Sequence, residues 1–313
     1  MMKHDIICIG TALVDSIIRG FDPNPVSATG FRAGSGTLAV GGEAVNVSVA
    51  AAKLGARTGI LCYLGDDCAG DMIAKALMDS GVDTASIVRT PGHSTPVTTM
   101  FVNEDGSRKS ITNGSHRYNF HPEEHVASFT DARALILGSL FRAPFDDPGI
   151  IHAVISAAKE AGQIVFADTK LPNYKVLDLS DLKESLPLID YITPNEDEAK
   201  YFSGKEDPDE MAEVFLEAGV KNALIKLDAK GCLFRSRDKR IRLDACSISA
   251  VDATGAGDNM IAGFASELLR GAPVEEALVF GNACGAICTT AVGASTALKN
   301  REQVVDFIGE RCE

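Results

Sequence analysis

The segment "VDATGAGDNMIAGF", residues 251–264, contains the residues whose types and spacing could do chemistry. The small residues of "TGAG" leave up to three consecutive backbone N–H groups open at the start of a helix, where the helix dipole adds partial positive charge. This arrangement predicts an anion site that suits a phosphate group. Asp258 follows at once, and a carboxylate beside a phosphoryl group could accept the proton of an attacking hydroxyl.

Two interpretations of Asp258 stay open from spacing alone. Asp258 is either the base of a phosphoryl transfer to an alcohol, or a helix cap beside glycines that allow close packing. Other phosphate motifs fit less well, because the sequence contains no P-loop pattern. "GSGTLA" (34–39) matches a dinucleotide fingerprint by its letters, but no clear strand precedes it, so we interpret it as a loop.

A second polar pair occurs in "TPNEDEA", residues 193–199. Asn195 and Glu198 lie three positions apart where a strand gives way to a helix. Both could face a site at the carboxyl end of the strand and hold Mg²⁺ through water molecules. An Asn cap with a glutamate reaching back, as in a capping box, explains the same pattern equally well.

Polar residues near the N-terminus could bind a polyhydroxylated ligand. Asp15 follows the first strand in "GTALVDS", and "GGEAVN" provides paired glycines, including Gly42, together with Asn46. A short acid, a closely approaching backbone and an amide supply the donors and acceptors that sugar hydroxyls need. Taken singly, each of these residues is more often a turn or cap residue.

The elements that must position these residues follow an alternating pattern of strands and helices. Apolar runs alternate with helical periodicity, which predicts βαβ units on a largely parallel sheet. The strands are expected in "DIICIG", "GILCYLG", "ALILG", "QIVFAD", "LIDYITPN" and "NALIKLD". Helices are expected in "CAGDMIAKALMDSG", "DPGIIHAVISAAKEAG", "DPDEMAEVFLEAG" and the region from Asp258 onward.

Two stretches break this alternation. Residues 95–112 are β-rich around "NEDG", which indicates a hairpin, and residues 11–40 form an irregular segment rich in glycine and threonine. We expect both to form a small β lid beside the main sheet of a single domain spanning residues 1–313. Because exposed sheet edges often pair across a two-fold axis, we also expect a homodimer joined through this lid.

Composition limits the classes of partner. The formal net charge of −13 argues against a grip on nucleic acid, although backbone amides, a metal ion and local cations could still bind ATP. We expect a cytoplasmic protein without a membrane partner, since no apolar stretch reaches spanning length and no signal peptide is evident. Cysteines inside apolar runs, such as Cys8, Cys62, Cys284 and Cys288, are expected to be buried and reduced.

Taken together, these motifs resemble the ribokinase or phosphofructokinase B (PfkB) family of carbohydrate kinases. Residues 41–83 resemble its N-terminal signature, residues 252–264 its C-terminal signature, and "NEDE" (195–198) its N-x-x-E motif. The resemblance implies a ribokinase-like α/β fold, in which a Rossmann-like, mostly parallel sheet is flanked by helices and carries a β-sheet lid. It also implies ATP as phosphoryl donor, Mg²⁺, and a sugar-like acceptor.

The resemblance assigns roles position by position. It makes Asp258 the catalytic base, the amides of Gly255, Ala256 and Gly257 the anion hole, and Asn195 with Glu198 the organisers of Mg²⁺ and phosphates. The acceptor hydroxyls would be bound by Asp15, Gly42 and Asn46. The nucleotide pocket would be lined by Lys226, Asp228, Gly231 and Asn282. A monovalent cation such as K⁺, found in some members, would bind near Asp252, Thr254, Gly293 and Ser295.

Departures from the family pattern concern the acceptor. "GGEAVN" replaces the G-G-K-G-A-N of ribokinases. "ADTKLPNYK", which contains Lys170, differs from the D-x-N-x-R pattern of many fructokinases. The acceptor could therefore be a less usual sugar or a sugar acid. An anionic acceptor would need a cation, and the candidates are Arg108, Lys109, Arg142 and Lys170.

Alternatives of other classes stay open. Within the kinase class, the acceptor could be a nucleoside or a sugar phosphate. A catalytically silent sensor of a sugar or nucleotide would not need the Gly-Ala-Gly-Asp turn. A nicotinamide-dependent oxidoreductase would rest only on fold class and "GSGTLA".

Overall fold

Strands and helices alternate along the chain in a computed structural model, which describes residues 2–20, 33–103, 108–113 and 120–311, without the side chains of Arg108 and Arg311. The strands are β1 (His4–Ile9), β2 (Leu13–Arg19), β3 (Ser35–Gly41), β4 (Thr58–Leu61), β5 (Tyr63–Gly65), β6 (Val88–Thr90), β7 (Val97–Val102), β8 (Arg108–Thr112), β9 (Ala132–Leu140), β10 (Ile164–Thr169), β11 (Tyr191–Ile192), β12 (Asn222–Lys226), β13 (Cys232–Ser236) and β14 (Arg240–Leu243). The α-helices are α1 (Glu43–Lys53), α2 (Cys68–Asp79), α3 (Val126–Phe129), α4 (Pro148–Glu160), α5 (Glu196–Ser203), α6 (Pro208–Glu217), α7 (Ala256–Arg270), α8 (Val274–Cys288) and α9 (Arg301–Arg311).

The main sheet has the order β14-β13-β12-β11-β10-β9-β1-β4. The strands from β4 to β12 in this order are parallel, whereas β13 and β14 pair antiparallel at one edge. The expected α/β fold with a mostly parallel sheet is therefore confirmed. The antiparallel pair β13 and β14 was not expected from the sequence.

Helices cover both faces of this sheet, so its central strands are buried on both sides. In β1, Ile6 and Cys8 join one apolar cluster with α1, α7 and α8, and Ile7 and Ile9 join a second cluster with α4 and α6. All four side chains are buried. This explains the continuous apolar run of "DIICIG", because a strand buried on both faces has no polar alternation.

Aspartate caps begin several of these helices. Asp67 accepts a hydrogen bond from the amide of Gly70 at 2.8 Å, and Asp147 accepts one from the amide of Gly149 at 2.9 Å. These side chains satisfy N–H groups that have no partner inside the helix. Helix α7 differs, because its N-cap is Gly255 and no side chain caps it.

A second, four-stranded sheet has the order β3-β2-β7-β8. Strands β7 and β8 pair antiparallel, as the hairpin signal around "NEDG" predicted, although residues 104–107 of that turn lie outside the described residues. The interpretation of residues 11–40 as irregular was wrong for β2 and β3, which are regular antiparallel strands, while residues 21–32 lie outside the described residues.

The interpretation of "GSGTLA" as a loop was also wrong. Its residues from Ser35 onward belong to β3, an edge strand that is exposed over its first four positions. An exposed edge strand lacks the apolar alternation that marks a half-buried one, which explains why the pattern escaped detection. Gly34 and Gly36 lie just before and within β3 and not in a turn between a strand and a helix, so the segment offers no support for a dinucleotide site.

Two further expectations need correction. "GILCYLG" contains two strands, because β5 leaves the main sheet and pairs with β6. Cys8, Cys62, Cys284 and Cys288 are free and buried as expected, but Cys246 takes part in a disulfide.

Among the described residues, no helix combines the length and apolar character that crossing a bilayer requires.

Candidate active site

The polar residues singled out in the sequence gather at one edge of the main sheet. Strands β9, β10 and β12 are parallel members of this sheet, so their carboxyl ends lie at the same edge. Ser139, Asp168, Lys170 and Lys226 lie at these ends. The starts of α1 and α7 provide Glu43, Asn46 and Asp258, which the contacts described below join to this edge.

The start of α7 provides backbone donors. Gly255 has a left-handed backbone with φ 79°, and a Cβ atom there would lie 2.3 Å from Cβ of Ala294, so only glycine fits. Within the described residues, the amides of Gly255 and Gly257 have no protein acceptor, whereas the amide of Ala256 donates to the carbonyl of Ala253 at 3.2 Å. The expected three-amide cradle is thus open at two of its three positions.

Asp258 does not cap the helix. Its carboxylate is buried and accepts a hydrogen bond from Asn46 Nδ2 at 2.8 Å. Burial raises the pKa of Asp258 to about 6; the positive charge of Lys170 opposes the shift, and the negative charges of Glu43 and Asp168 add to it. A carboxylate with a pKa near 6 is ionised at neutral pH and is a stronger base than an exposed aspartate.

Lys170 lies in an ion pair inside the site. Its Nζ is 3.3 Å from Glu43 Oε1, and Glu43 Oε2 accepts a hydrogen bond from Ser139 Oγ at 2.7 Å. Although burial opposes the charge on Lys170, Glu43, Asp168, Asp258 and Glu198 together hold its pKa above the usual value. Burial likewise opposes ionisation of Glu43, but Lys170 and Ser139 outweigh it and lower the pKa of Glu43.

A second ion pair lies beside the amides of α7. Lys226 Nζ is 2.6 Å from Asp168 Oδ1, which also accepts a hydrogen bond from Thr193 Oγ1 at 3.0 Å. A Cβ atom added to Gly257 would lie 3.3 Å from Lys226 Nζ, so the ammonium group approaches the α7 backbone where the Gly257 amide is open. A positive charge therefore adjoins the amide donors.

Asn195 and Glu198 form the capping box that the sequence left as one of two interpretations. Asn195 Oδ1 accepts from the amide of Glu198 at 2.9 Å, and Glu198 Oε2 accepts from the amide of Asn195 at 3.0 Å. The same oxygen accepts a hydrogen bond from Thr169 Oγ1 at 2.8 Å. Burial raises the pKa of Glu198, with Lys226 opposing the shift and Asp168 adding to it.

The glycine pair before α1 brings the backbone close to Asp15. Gly42 has φ 101°, and a Cβ atom there would lie 2.3 Å from the carbonyl oxygen of Thr11. A Cβ atom on Gly41 would lie 2.6 Å from Asp15 Oδ2. The turn thus requires glycine, and it places Asp15 beside the start of the helix that carries Asn46.

The four residues expected near a monovalent cation are engaged with protein donors and acceptors. Asp252 accepts hydrogen bonds from the Thr254 amide at 3.0 Å, the Thr254 hydroxyl at 2.7 Å and the Gly293 amide at 2.9 Å. The carbonyl of Ser295 accepts a hydrogen bond from Lys53 Nζ. The ammonium group of Lys53 therefore already supplies positive charge to this loop.

Two of the residues expected in a nucleotide pocket, Asn282 and Gly231, adjoin the end of β14. Asn282 Nδ2 donates to the carbonyl of Asp244 at 2.8 Å, and a Cβ atom on Gly231 would lie 2.0 Å from the carbonyl oxygen of Leu243. Asp228 is exposed and has φ 49°. In the described part of the chain, no hydrogen bond or ion pair joins these three residues to Asp258.

The other cations proposed for an anionic acceptor differ from Lys170. Arg142 donates its Nε–H to the carbonyl of Leu171 at 2.8 Å, and Lys109 is exposed on β8. The side chain of Arg108 lies outside the described residues. Lys170 alone of these four has a described ion pair within the site.

Sequence reasoning missed several members of the site. Glu43 was noted only as a departure in "GGEAVN", and Ser139, Asp168 and Thr169 were not singled out. Asp168 could have been found, because it ends the apolar run "QIVFAD" at a strand carboxyl end, where ligands bind in parallel sheets. Ser139 had no such signal, since its contact with Glu43 depends on a left-handed backbone at φ 63°.

Comparisons with known proteins agree with this fold. The model of the pfkB family carbohydrate kinases matches residues 3–301. The chain is 31% identical to a ribokinase of Haemophilus influenzae over 276 residues, which cover 87% of this chain and 88% of that protein. It is 28% identical to "Probable fructokinase-6, chloroplastic" of Arabidopsis thaliana, with 96% of this chain and 81% of the relative covered.

A solved structure gives the same result. A ribokinase of Arabidopsis thaliana, in complex with ribose and ATP, superposes with a TM-score of 0.87 at 26% identity, covering 98% of this chain and 99% of the other. The family match spans most of the chain, and the shared fold includes the main sheet and the small sheet. The chain therefore belongs to the pfkB family of carbohydrate kinases and is a sugar kinase with the ribokinase fold.

Proposed function

We propose that the protein transfers the γ-phosphoryl group of ATP to a hydroxyl of a sugar, with Asp258 as the base. The observation that carries this proposal is the position of Asp258, which is buried, held by Asn46, and placed directly after the open amides of α7. The complex of a related ribokinase with ribose and ATP supports both substrate classes.

The reaction would proceed as an in-line displacement. The acceptor hydroxyl oxygen forms a bond to the γ-phosphorus, the bond from that phosphorus to its bridging oxygen breaks, and ADP leaves. The hydroxyl proton passes to Asp258. Because the transition state is loose, proton transfer comes late and a base with a pKa near 6 suffices.

The donor phosphates would bind at the amides of Gly255 and Gly257, beside the ammonium group of Lys226. Helix N-termini and adjacent cations suit phosphate oxygens. Mg²⁺ would be held mainly by phosphates and water, with Glu198 contributing through water molecules.

The acceptor would be an uncharged sugar, with Asp15, Gly42 and Asn46 binding its hydroxyls. Lys170 was a candidate partner for a sugar acid, but Glu43 already pairs with it at 3.3 Å. A carboxylate brought to this site would also face Asp168 and Asp258. The local charge therefore favours a neutral acceptor over a sugar acid.

The small sheet would join two copies in a homodimer. Leu38 on β3 and Ile111 on β8 are 60% and 71% exposed. Leu38 pairs with Ser16 on β2, Ser16 with Thr99 on β7, and Thr99 with Ile111. Residues paired in this way point to the same side of a sheet, so the side chains of Leu38 and Ile111 lie on one face. An exposed apolar face of this kind favours association with a second copy.

An ADP-release assay tests the proposed function. The purified protein is incubated with ATP, Mg²⁺ and one acceptor at a time from sets of aldoses, ketoses, sugar acids and nucleosides, including D-ribose and D-fructose. We expect ADP release above background with at least one neutral sugar, and slower release with its acid analogue. Background release with every acceptor would contradict the kinase function, and preference for a nucleoside or sugar acid would contradict the acceptor class.

A further inference from the structure

Lys170 and Glu43 form an ion pair in the same site as Asp258, with Lys170 Nζ 3.3 Å from Glu43 Oε1. We propose that Lys170 and Glu43 form a positioning pair for Asp258, in which the ammonium group stabilises the ionised base and the glutamate holds the ammonium group in place. The proposal rests on the proposed role of Asp258. Its decisive measurement uses neither ATP nor an acceptor, so the two can fail separately.

The geometry of α1 brings the pair and the base together. Glu43 and Asn46 lie three positions apart on this helix, so their side chains share one face. Asn46 donates to Asp258 at 2.8 Å, and Glu43 pairs with Lys170 at 3.3 Å. One face of one helix therefore orients both the base and the counter-charge.

The protein fixes Glu43 from a second direction. Ser139 has a left-handed backbone with φ 63°, a conformation that residues other than glycine rarely adopt. This backbone places Ser139 Oγ 2.7 Å from Glu43 Oε2. A Cβ atom on the neighbouring Gly138 would lie 3.2 Å from Cβ of Glu43, so β9 approaches α1 closely here. The glutamate is therefore held on both carboxylate oxygens.

The charges around Asp258 act in opposite directions. Lys170 lowers its pKa, whereas Glu43 from α1 and Asp168 from β10 raise it. The buried thiols of Cys8 on β1 and Cys288 on α8 also interact with the charge of Asp258, but burial raises the pKa of both, that of Cys288 to about 12, so both stay neutral. The Lys170–Glu43 pair thus contains the positive charge that opposes the rise in the Asp258 pKa most strongly and a negative charge that adds to the rise.

Titration of Asp258 in two single variants tests this arrangement. Carboxyl ¹³C NMR of aspartate-labelled protein gives the pKa, and the signal is assigned by its absence from Asp258→Asn. We expect Lys170→Met to raise the Asp258 pKa by about half a pH unit or more, and Glu43→Gln to lower it by a similar amount. General damage to the fold would not raise the Asp258 pKa in one variant and lower it in the other.

Matched variants sharpen the result. Lys170→Arg retains the positive charge and should bring the titration back toward that of the wild type. Lys221→Met removes the lysine of another ion pair, 2.6 Å from Asp190, which lies at the amino end of β11 and so at the opposite edge of the sheet. This control should leave the Asp258 titration unchanged.

The outcomes separate clearly. Shifts in the same direction, or no shift in either single variant, would overturn the proposal. If Lys170→Met does not fold, Glu43→Gln decides alone, because glutamine retains the size of Glu43 and an acceptor for Ser139: a downward shift supports the pair, and an upward or absent shift overturns it. With an acceptor in hand, the acid limb of kcat/KM should move in the same opposite directions.

Discussion

The carboxylate of Asp258 is shielded from water and accepts a hydrogen bond from Asn46 Nδ2 at 2.8 Å. A pKa of about 6 against the usual 3.8 corresponds to a cost of about 3 kcal/mol at neutral pH. Between pH 3.8 and about 6, Asp258 stays protonated in the folded protein but loses its proton in the unfolded chain. The free energy of unfolding should therefore fall as the pH rises from about 4 to about 6.

Asp258→Asn should remove this cost. We expect the variant to have a free energy of unfolding higher than that of the wild type by up to about 3 kcal/mol at pH 8, with little difference at pH 4. Asparagine can still accept the hydrogen bond from Asn46. Urea unfolding at the two pH values measures the effect.

Asp190→Asn provides the opposite control. Burial disfavours the charge of Asp190, but Lys159 and Lys221 outweigh it and hold its pKa below the usual value. This substitution should therefore reduce the free energy of unfolding at pH 8. A lower free energy of unfolding in Asp258→Asn than in the wild type at pH 8 would contradict the cost assigned to the buried, ionised carboxylate.

Helix α7 depends on its first glycine more than on its last. Gly255 and Gly271 flank the helix with left-handed backbones, at φ 79° and 92°. A Cβ atom on Gly255 would collide with Ala294, whereas a Cβ atom on Gly271 would meet nothing within 4 Å. The two positions thus share backbone strain and differ in crowding.

Gly255→Ala and Gly271→Ala separate these effects. We expect Gly271→Ala to lower the free energy of unfolding by about 1 kcal/mol, and Gly255→Ala by about 2 kcal/mol more because the α7 start must move. Denaturant unfolding measures both variants. Equal losses would show that the α7 start has more room than the structure indicates.

The sequence predicted elements well where burial leaves a periodic pattern. The strands of the parallel sheet and helices α2, α4, α6 and α7 were found within a few residues, because each is apolar on a regular spacing. The exposed edge strand β3 was missed, since its side chains face solvent. The division of "GILCYLG" was missed because pairing of β5 with β6 is a tertiary choice that no local pattern encodes.

The candidate site was predicted in part for a related reason. Asp258 and the glycines of α7 form one continuous segment, so their spacing indicated an anion site. The Glu43–Lys170 pair joins α1 to the end of β10, and only the fold brings these segments together. The sequence therefore identified Lys170 as a cation but not its partner.

The small sheet determines the proposed association of two copies. Leu38→Lys or Ile111→Lys should convert the expected dimer to a monomer, because each places a charge on the apolar face of an edge strand. Light scattering at a concentration where the wild type is dimeric measures the change.

Val305→Lys serves as the control for these two variants. Val305 is 46% exposed and belongs to α9, which packs against α8. This variant should remain a dimer. A monomeric wild type, or a dimer unaffected by both small-sheet variants, would contradict association through this sheet.

The kinetics of Asp258→Asn test the role of the base most directly. The substitution keeps the size of the side chain and removes its basicity, so ATP binding should stay within about threefold of the wild type while kcat falls by at least about a hundredfold. ADP release under saturating ATP and sugar gives kcat, and calorimetry gives the affinity for ATP. Folded Asp258→Asn protein that binds ATP and turns over within about tenfold of the wild-type rate would contradict the assignment of Asp258 as the base.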